Sequence, residues 1–345
     1  MKYLAVTGFY ATGSSAVIDL LNGHPDFSES TKDPYEHVIL YNPGSIFDLE
    51  WKLLYNNDLH RSDEAIKTFI KEMDRLKQNF GWFGSFNNMF GDKFDKIEEN
   101  YVNSLIEYKH GLISYKDYKK VRFSLIKMIA QIGARILKKR KIYKYGRQYV
   151  YYKDSKVQFY SNPSKEKFFE ESQKFVSSYA SLFEQGDKKI VFDHLVLPNH
   201  LNRIDNYFTD DFKFIVVNRD PRDLFALSKY IYQSKNPFPL DVNQFCDFYL
   251  KQQACLKENK RILKVQFEDL IYQLDKTKKE IFDFCEVKDA EYQSQLFPEK
   301  SINNTQTFRL NGKWNEEVKV IEERLKDYLY KFPYERTPEL KETFE

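Results

Sequence analysis

The sequence predicts an α/β fold built on a central parallel sheet. Four short β-branched or aromatic runs separated by helical patterns carry this expectation. A glycine-containing turn joining the first run directly to a helix adds to it, as does a composition that can fill a core. The runs are Tyr3–Thr7, Ile190–Asp193, Phe214–Asn218 and Leu263–Phe267. Apolar stretches this short and continuous are what strands covered on both faces look like. Each leads into a loop and then a helical pattern, the alternation that right-handed crossovers produce. With 345 residues, 30 Phe and 25 Tyr, the chain has the length and the aromatic content to bury a large core, and 1–345 is read as one domain.

The first strand runs into Thr7-Gly8-Phe9-Tyr10-Ala11-Thr12-Gly13-Ser14-Ser15-Ala16 and then a strong helix pattern, Val17 to Leu21. A strand, a Gly turn and a helix N-terminus together make an anion site, because unpaired backbone N–H groups and the helix dipole point at the ligand. The Gly8–Gly13 spacing fits the phosphate-loop pattern GxxxxGK[ST], but Ser14 stands where the lysine belongs. That lysine holds the β- and γ-phosphates of a nucleoside triphosphate, so its absence argues against an ordinary ATPase or kinase. The plain alternative is a Gly-Ser turn that binds nothing.

Residues 45–188 form a long, mainly helical insertion. Ser62-Asp63-Glu64 reads as the opening of one helix, and Asn162-Pro163 as the opening of another that ends at Gln185-Gly186. Between them, Lys119 to Lys141 places Val121, Leu125, Met128, Ile129, Ile132 and Ile136 on one helical face, with Lys138-Lys139-Arg140-Lys141 at its basic end. Tyr143 to Tyr152 has the pattern of a β-hairpin around Gly146. The strand Phe214–Asn218 then ends in Arg219-Asp220-Pro221-Arg222-Asp223 before a further helix. An arginine at the carboxyl end of a sheet strand reaches the crevice where ligands of open α/β sheets bind. Pairing of Arg219 and Arg222 with Asp220 and Asp223 is the structural alternative.

Bulk properties narrow the partners. A net charge of +3, from 54 basic and 51 acidic residues, carries no polyanion signature, so nucleic acid is not an expected partner. Cys246, Cys255 and Cys285 have neither CxxC nor metal spacing, and no stretch approaches a membrane span. The expectation is a cytoplasmic protein without a metal. The Lys138–Lys141 end suggests contact with an anionic inner-membrane surface, against the plainer reading of a solvated helix end.

Four motifs, in order, resemble those of the PAPS-dependent sulfotransferases, bacterial glycan-acting members included. Ala11-Thr12-Gly13-Ser14-Ser15 looks like the 5′-phosphosulfate loop. Arg219-Asp220-Pro221-Arg222-Asp223 with Ser228 looks like the 3′-phosphate motif. Val265 to Leu270 is similar to the family's strand-end "YEDL", and Thr307 to Trp314 to its late closing loop. The insertion lies outside the resemblance. It implies a P-loop-NTPase-like three-layer fold and 3′-phosphoadenosine 5′-phosphosulfate (PAPS) as donor. It further implies that Ala11, Thr12, Gly13, Ser14, Ser15 and Ala16 hold the 5′ end, with Arg219, Ser228, Arg309, Gly312 and Lys313 at the 3′-phosphate. Two features depart from the family. Ala11 replaces a common Lys or Arg, leaving that charge to Lys32 or Lys313, and the Arg219–Ser228 interval is one residue longer than usual.

Sulfuryl transfer needs a base for the acceptor hydroxyl and no metal. Glu36, in Lys32-Asp33-Pro34-Tyr35-Glu36-His37, is the preferred base, where glycan-acting members often place a glutamate, and His194 at the end of a strand is its rival. The aromatic, basic insertion suits a glycan, polysaccharide or lipid-linked saccharide acceptor. A P-loop-type small-molecule kinase and a non-catalytic nucleotide- or polyanion-binding module are the competing readings.

Overall fold

The computed structural model describes residues 1–30, 37–78, 85–110, 142–145, 148–151, 157–232, 238–294, 296 and 298–337. Nine strands occur among them: β1 (Tyr3–Gly8), β2 (Phe27–Glu29), β3 (Tyr108–His110), β4 (Ile142–Tyr145), β5 (Gln148–Tyr151), β6 (Gln158–Tyr160), β7 (Lys189–Asp193), β8 (Phe212–Asn218) and β9 (Ile262–Gln266). Five form one parallel sheet in the order β2-β7-β1-β8-β9. All four sequence-predicted strands are in it. The edge strand β2 escaped the sequence reading because three residues are too few to show a period.

Alternation along β1 assigns the two faces. Leu4 and Val6 pack with Val17, Leu20 and Leu21 of the first helix, Ser14–Leu21, and with Ile281, Phe282 and Cys285 of the helix Leu274–Cys285. Tyr3 and Ala5 face the other way, into a cluster with Phe69, Met73, Phe86, Phe94, Tyr101, Phe175 and Tyr179. Those last seven all belong to the insertion. Its helices Leu59–Lys77, Phe86–Phe90, Lys93–Leu105 and Lys165–Ser181 therefore supply the layer that covers this face of the sheet.

Two helix starts differ from the sequence reading. The helix placed at Ser62 begins at Leu59, capped by Asp58, whose carboxylate accepts from the backbone N–H of His60 and Arg61 at 2.8 and 2.9 Å. Ser62 and Asp63 are buried one turn inside. Ser62 Oγ donates to the Phe159 carbonyl, and Asp63 accepts from the Phe159 N–H, so both are committed to β6 rather than to the helix end. The helix assigned to Asn162-Pro163 starts at Lys165 behind the cap Ser164, and ends at Ser181, before Gly186. The hairpin about Gly146 is present as the antiparallel pair β4–β5. The helical face drawn over Lys119–Lys141 lies outside the described residues. Among those described, no helix is long and apolar enough to cross a membrane.

Candidate active site at the β1–β8 crevice

From β1 the chain leaves toward β2 and β7, and from β8 toward β9, so the connections diverge between β1 and β8. In open α/β sheets the crevice beyond the carboxyl ends of two such strands is where ligands bind. Both sequence motifs open into it.

The loop after β1 is shaped by close approach. A Cβ on Gly8 would lie 2.1 Å from Thr12 Oγ1. The Thr12 hydroxyl is buried and donates to the Phe9 carbonyl at 2.8 Å, tying the loop to itself. Ala11 is left-handed at φ 61°, as is Gly13 at φ 85°. Gly13 is the N-cap of the first helix and has no side chain to bond its first-turn N–H groups. Ser14 and Ala16 are buried and Ser15 is exposed.

Arg219, at the end of β8, is 5% exposed. Its Nη1 donates to the Ala11 carbonyl at 3.0 Å, Nη2 donates to the Asn304 carbonyl, and its guanidinium lies 4.7 Å over the Phe267 ring. The same ring blocks Gly13, where a Cβ would meet it at 2.5 Å. One aromatic ring thus stands between the two halves of the crevice and touches both. Phe267 has no sequence signal for this role beyond its place in the late strand-end motif.

The pairing expected for the second motif is half realised. Arg222 grips Asp220 with two parallel bonds, of 3.0 and 2.7 Å, and reaches Glu322 at 2.8 Å. Asp223 instead accepts from Gln306 N and Thr307 Oγ1, both at 2.8 Å, and so pins the late loop against the crevice. Of the late-loop candidates, Arg309 turns Nη2 to Glu335 at 3.2 Å and Gly312 is exposed. The Lys313 side chain lies outside the described residues.

Ser228 is fully buried in a π-helical turn, Leu227–Ile231. Such a turn accommodates one extra residue in a helix, and it falls where the Arg219–Ser228 interval is one residue longer than in the resembled motif. His194 sits at the end of β7 at φ 49°, its backbone N–H on the Val6 carbonyl and its Nδ1 2.6 Å from Asp193 Oδ1. Lys32 and Glu36 lie outside the described residues. Flanking them, Ser30 N–H and His37 N–H bond the β7 carbonyls of Val191 and Asp193, at 2.9 and 3.3 Å. His37 is enclosed between Ser30 and Tyr179, and burial holds its imidazole down at about 3.

Glu268 is wholly buried under the second motif. One carboxylate oxygen accepts from the Asp220 N–H at 2.9 Å and the other from Gln266 Nε2 at 2.9 Å. Burial, with repulsion from Asp220 and Asp223, pushes it up to about 8 against the pull of Arg219. An acid raised in this way binds its proton more tightly folded than unfolded, so stability falls as pH rises from about 4.5 to about 8 and then levels off. Glu268→Gln keeps an acceptor for Asp220, and Gln266 can turn its amide over to match. Thermal unfolding across that range should show a flatter pH profile for the variant, and an unchanged slope would remove Glu268 as its source.

The fold is an α/β sheet with a glycine loop at its switch point. Its particular likeness is to sulfotransferase domains. The first is the sulfotransferase domain from the curacin biosynthetic pathway, at 13% identity and TM-score 0.36, covering 86% of this chain and 77% of that one. The second is a Mycobacterium avium sulfotransferase, at 13% and 0.37, covering 97% and 77%. The third is the sulfotransferase domain of the Synechococcus olefin synthase, at 13% and 0.39, covering 96% and 95%. No family model matches the sequence, and no curated protein matches it.

Proposed function

We propose that the chain transfers a sulfuryl group from PAPS to a hydroxyl. The observation that carries this reading is Arg219, a buried cation at the end of β8 bonded to the carbonyl of Ala11 in the glycine loop. A ligand spanning that contact needs an anionic group at each end, one for the loop and one for the guanidinium. PAPS has its phosphosulfate and its 3′-phosphate so disposed. The backbone of Ala11 to Ala16 with the Ser14 and Ser15 hydroxyls takes the first. Arg219 and Ser228 take the second, with Arg309, Gly312 and Lys313 closing over it.

In the reaction the acceptor oxygen bonds to sulfur as the bond from sulfur to the 5′-phosphate oxygen breaks, and the acceptor proton passes to a base. Asp193 supports His194 in that role: holding Nδ1–H fixes the tautomer and leaves Nε2 as the basic nitrogen. Glu36 is the second candidate, carried next to the anchored His37. The acceptor is a glycan, polysaccharide or lipid-linked saccharide, received by the insertion.

Calorimetry without metal tests the donor assignment. 3′-Phosphoadenosine 5′-phosphate should bind at least tenfold more tightly than ADP or ATP, about 1.4 kcal/mol. Equal or tighter binding of ATP, with or without Mg²⁺, would return the small-molecule kinase to first place.

A further inference from the structure

Four arginines are buried among the described residues: Arg219, Arg222, Arg261 and Arg336. Arg222 is paired with Asp220 and Glu322, and Arg261 with Asp205. Arg219 and Arg336 have no carboxylate within ion-pair distance among the described residues. A buried guanidinium without an ion-pair partner is costly, so two of them together need a reason.

They are together. Arg336 Nη1 donates to the carbonyls of Asn303 and Thr305, at 2.7 and 2.9 Å, and Arg219 Nη2 donates to the carbonyl between them, Asn304. One tripeptide is therefore gripped by both cations. Nε of each, and Nη2 of Arg336, are buried with no acceptor. Asp223 interacts electrostatically with both, and it is already engaged by Gln306, Thr307 and Phe308.

Arg336 is 117 positions along the chain from Arg219, and a strap returns it to the crevice. Tyr330 N–H bonds Asp220 Oδ2 at 2.8 Å, Arg222 Nη2 bonds the Tyr330 carbonyl at 3.1 Å, and Tyr330 OH donates to Asp269 at 2.8 Å. Phe332 and Tyr334 then pack on Tyr272, and Arg336 N–H closes onto Gln306 Oε1 at 3.0 Å.

We infer that Arg336 is a second cation of the phosphate subsite: a phosphate monoester displaces the Asn304 carbonyl from Arg219 and is held by the unpaired N–H groups of Arg219 and Arg336. This rests on the donor-site reading above and adds to it a ligand that none of the recognisable motifs contains. The engagement of the neighbouring acids supports it, since Asp220 is gripped by Arg222 and Asp223 is bonded by Gln306 and Thr307. Two bidentate guanidiniums also explain selection of a dianionic monoester over a ribose hydroxyl.

The test is calorimetric affinity for 3′-phosphoadenosine 5′-phosphate and for adenosine 5′-monophosphate in the wild type, Arg336→Gln and Arg336→Lys. Gln keeps donors for the Asn303 and Thr305 carbonyls but no charge. It should weaken the 3′-phosphorylated ligand roughly tenfold to a hundredfold and the monophosphate less than about threefold, with Lys intermediate. Equal weakening of both ligands in the Gln variant would mean that Arg336 only props the loop, and would overturn the inference. A wild-type preference that persists unchanged in Arg336→Gln overturns it too, while leaving the donor reading intact. A wild type that binds both ligands alike refutes the donor reading itself.

Discussion

Replacing Arg219 with Ala is expected to abolish discrimination between 3′-phosphorylated and plain adenine nucleotides. Its guanidinium is buried, stacked on Phe267 and aimed along the crevice between the glycine loop and the late loop. A charge-assisted hydrogen bond is worth about 1.5–3 kcal/mol, so losing two to a phosphate weakens binding roughly a hundredfold or more. The variant leaves the Ala11 and Asn304 carbonyls without their donor, and some loosening of the loop follows. Arg219→Lys separates the two effects. It restores charge without the planar pair of donors, so part of the affinity should return while the preference stays low. Calorimetry with and without the 3′-phosphate reads both, and a variant that keeps the full preference would move the 3′-phosphate site elsewhere.

Gly13→Val is expected to be the most damaging change in the glycine loop. A left-handed backbone costs a β-branched residue about 1–2 kcal/mol, and forcing side-chain atoms into a filled space typically costs about 1–3 more. Here the space is filled by the Phe267 ring, 2.5 Å from where the first added carbon would stand. The ring can yield only by moving under Arg219. Both donor half-sites should therefore fail in one variant, with a fall in unfolding temperature of several degrees or more. Gly13→Val combined with Phe267→Leu should recover part of the lost stability. If the single variant melts with the wild type, the contact between loop and ring does not constrain the fold.

These two residues mark the limit of what could be read in advance. Gly13 was legible because its role is local: a turn between strand and helix needs it, and the spacing from Gly8 shows it. Arg219 was legible because a strand and a Pro-led helix flank it. Phe267 and Arg336 were not, because each acts by returning from a distant part of the chain, and a ring in a strand-end motif or an arginine in a tail has no period to betray it. The helix starts failed for a related reason. Ser62-Asp63 is a stronger cap on paper than Asp58, but β6 claims both residues from outside the helix. Of the two residues read as candidate bases, His194 is placed beside Asp193, whereas Glu36 lies among residues the structure does not describe.

The shared core of insertion and sheet has a consequence for engineering. A segment carried on a finished scaffold can be lifted out and replaced as a cassette. Here Phe69, Phe94, Phe175 and Tyr179 are packed in one cluster with Ala5, Phe192 and Phe214, and removing the segment would unroof the strands that carry the glycine loop. Chimaeras of this segment should therefore leave the helices Leu59–Lys77 and Lys165–Ser181 in place and exchange shorter pieces between them, with the β4–β5 hairpin as the natural first graft.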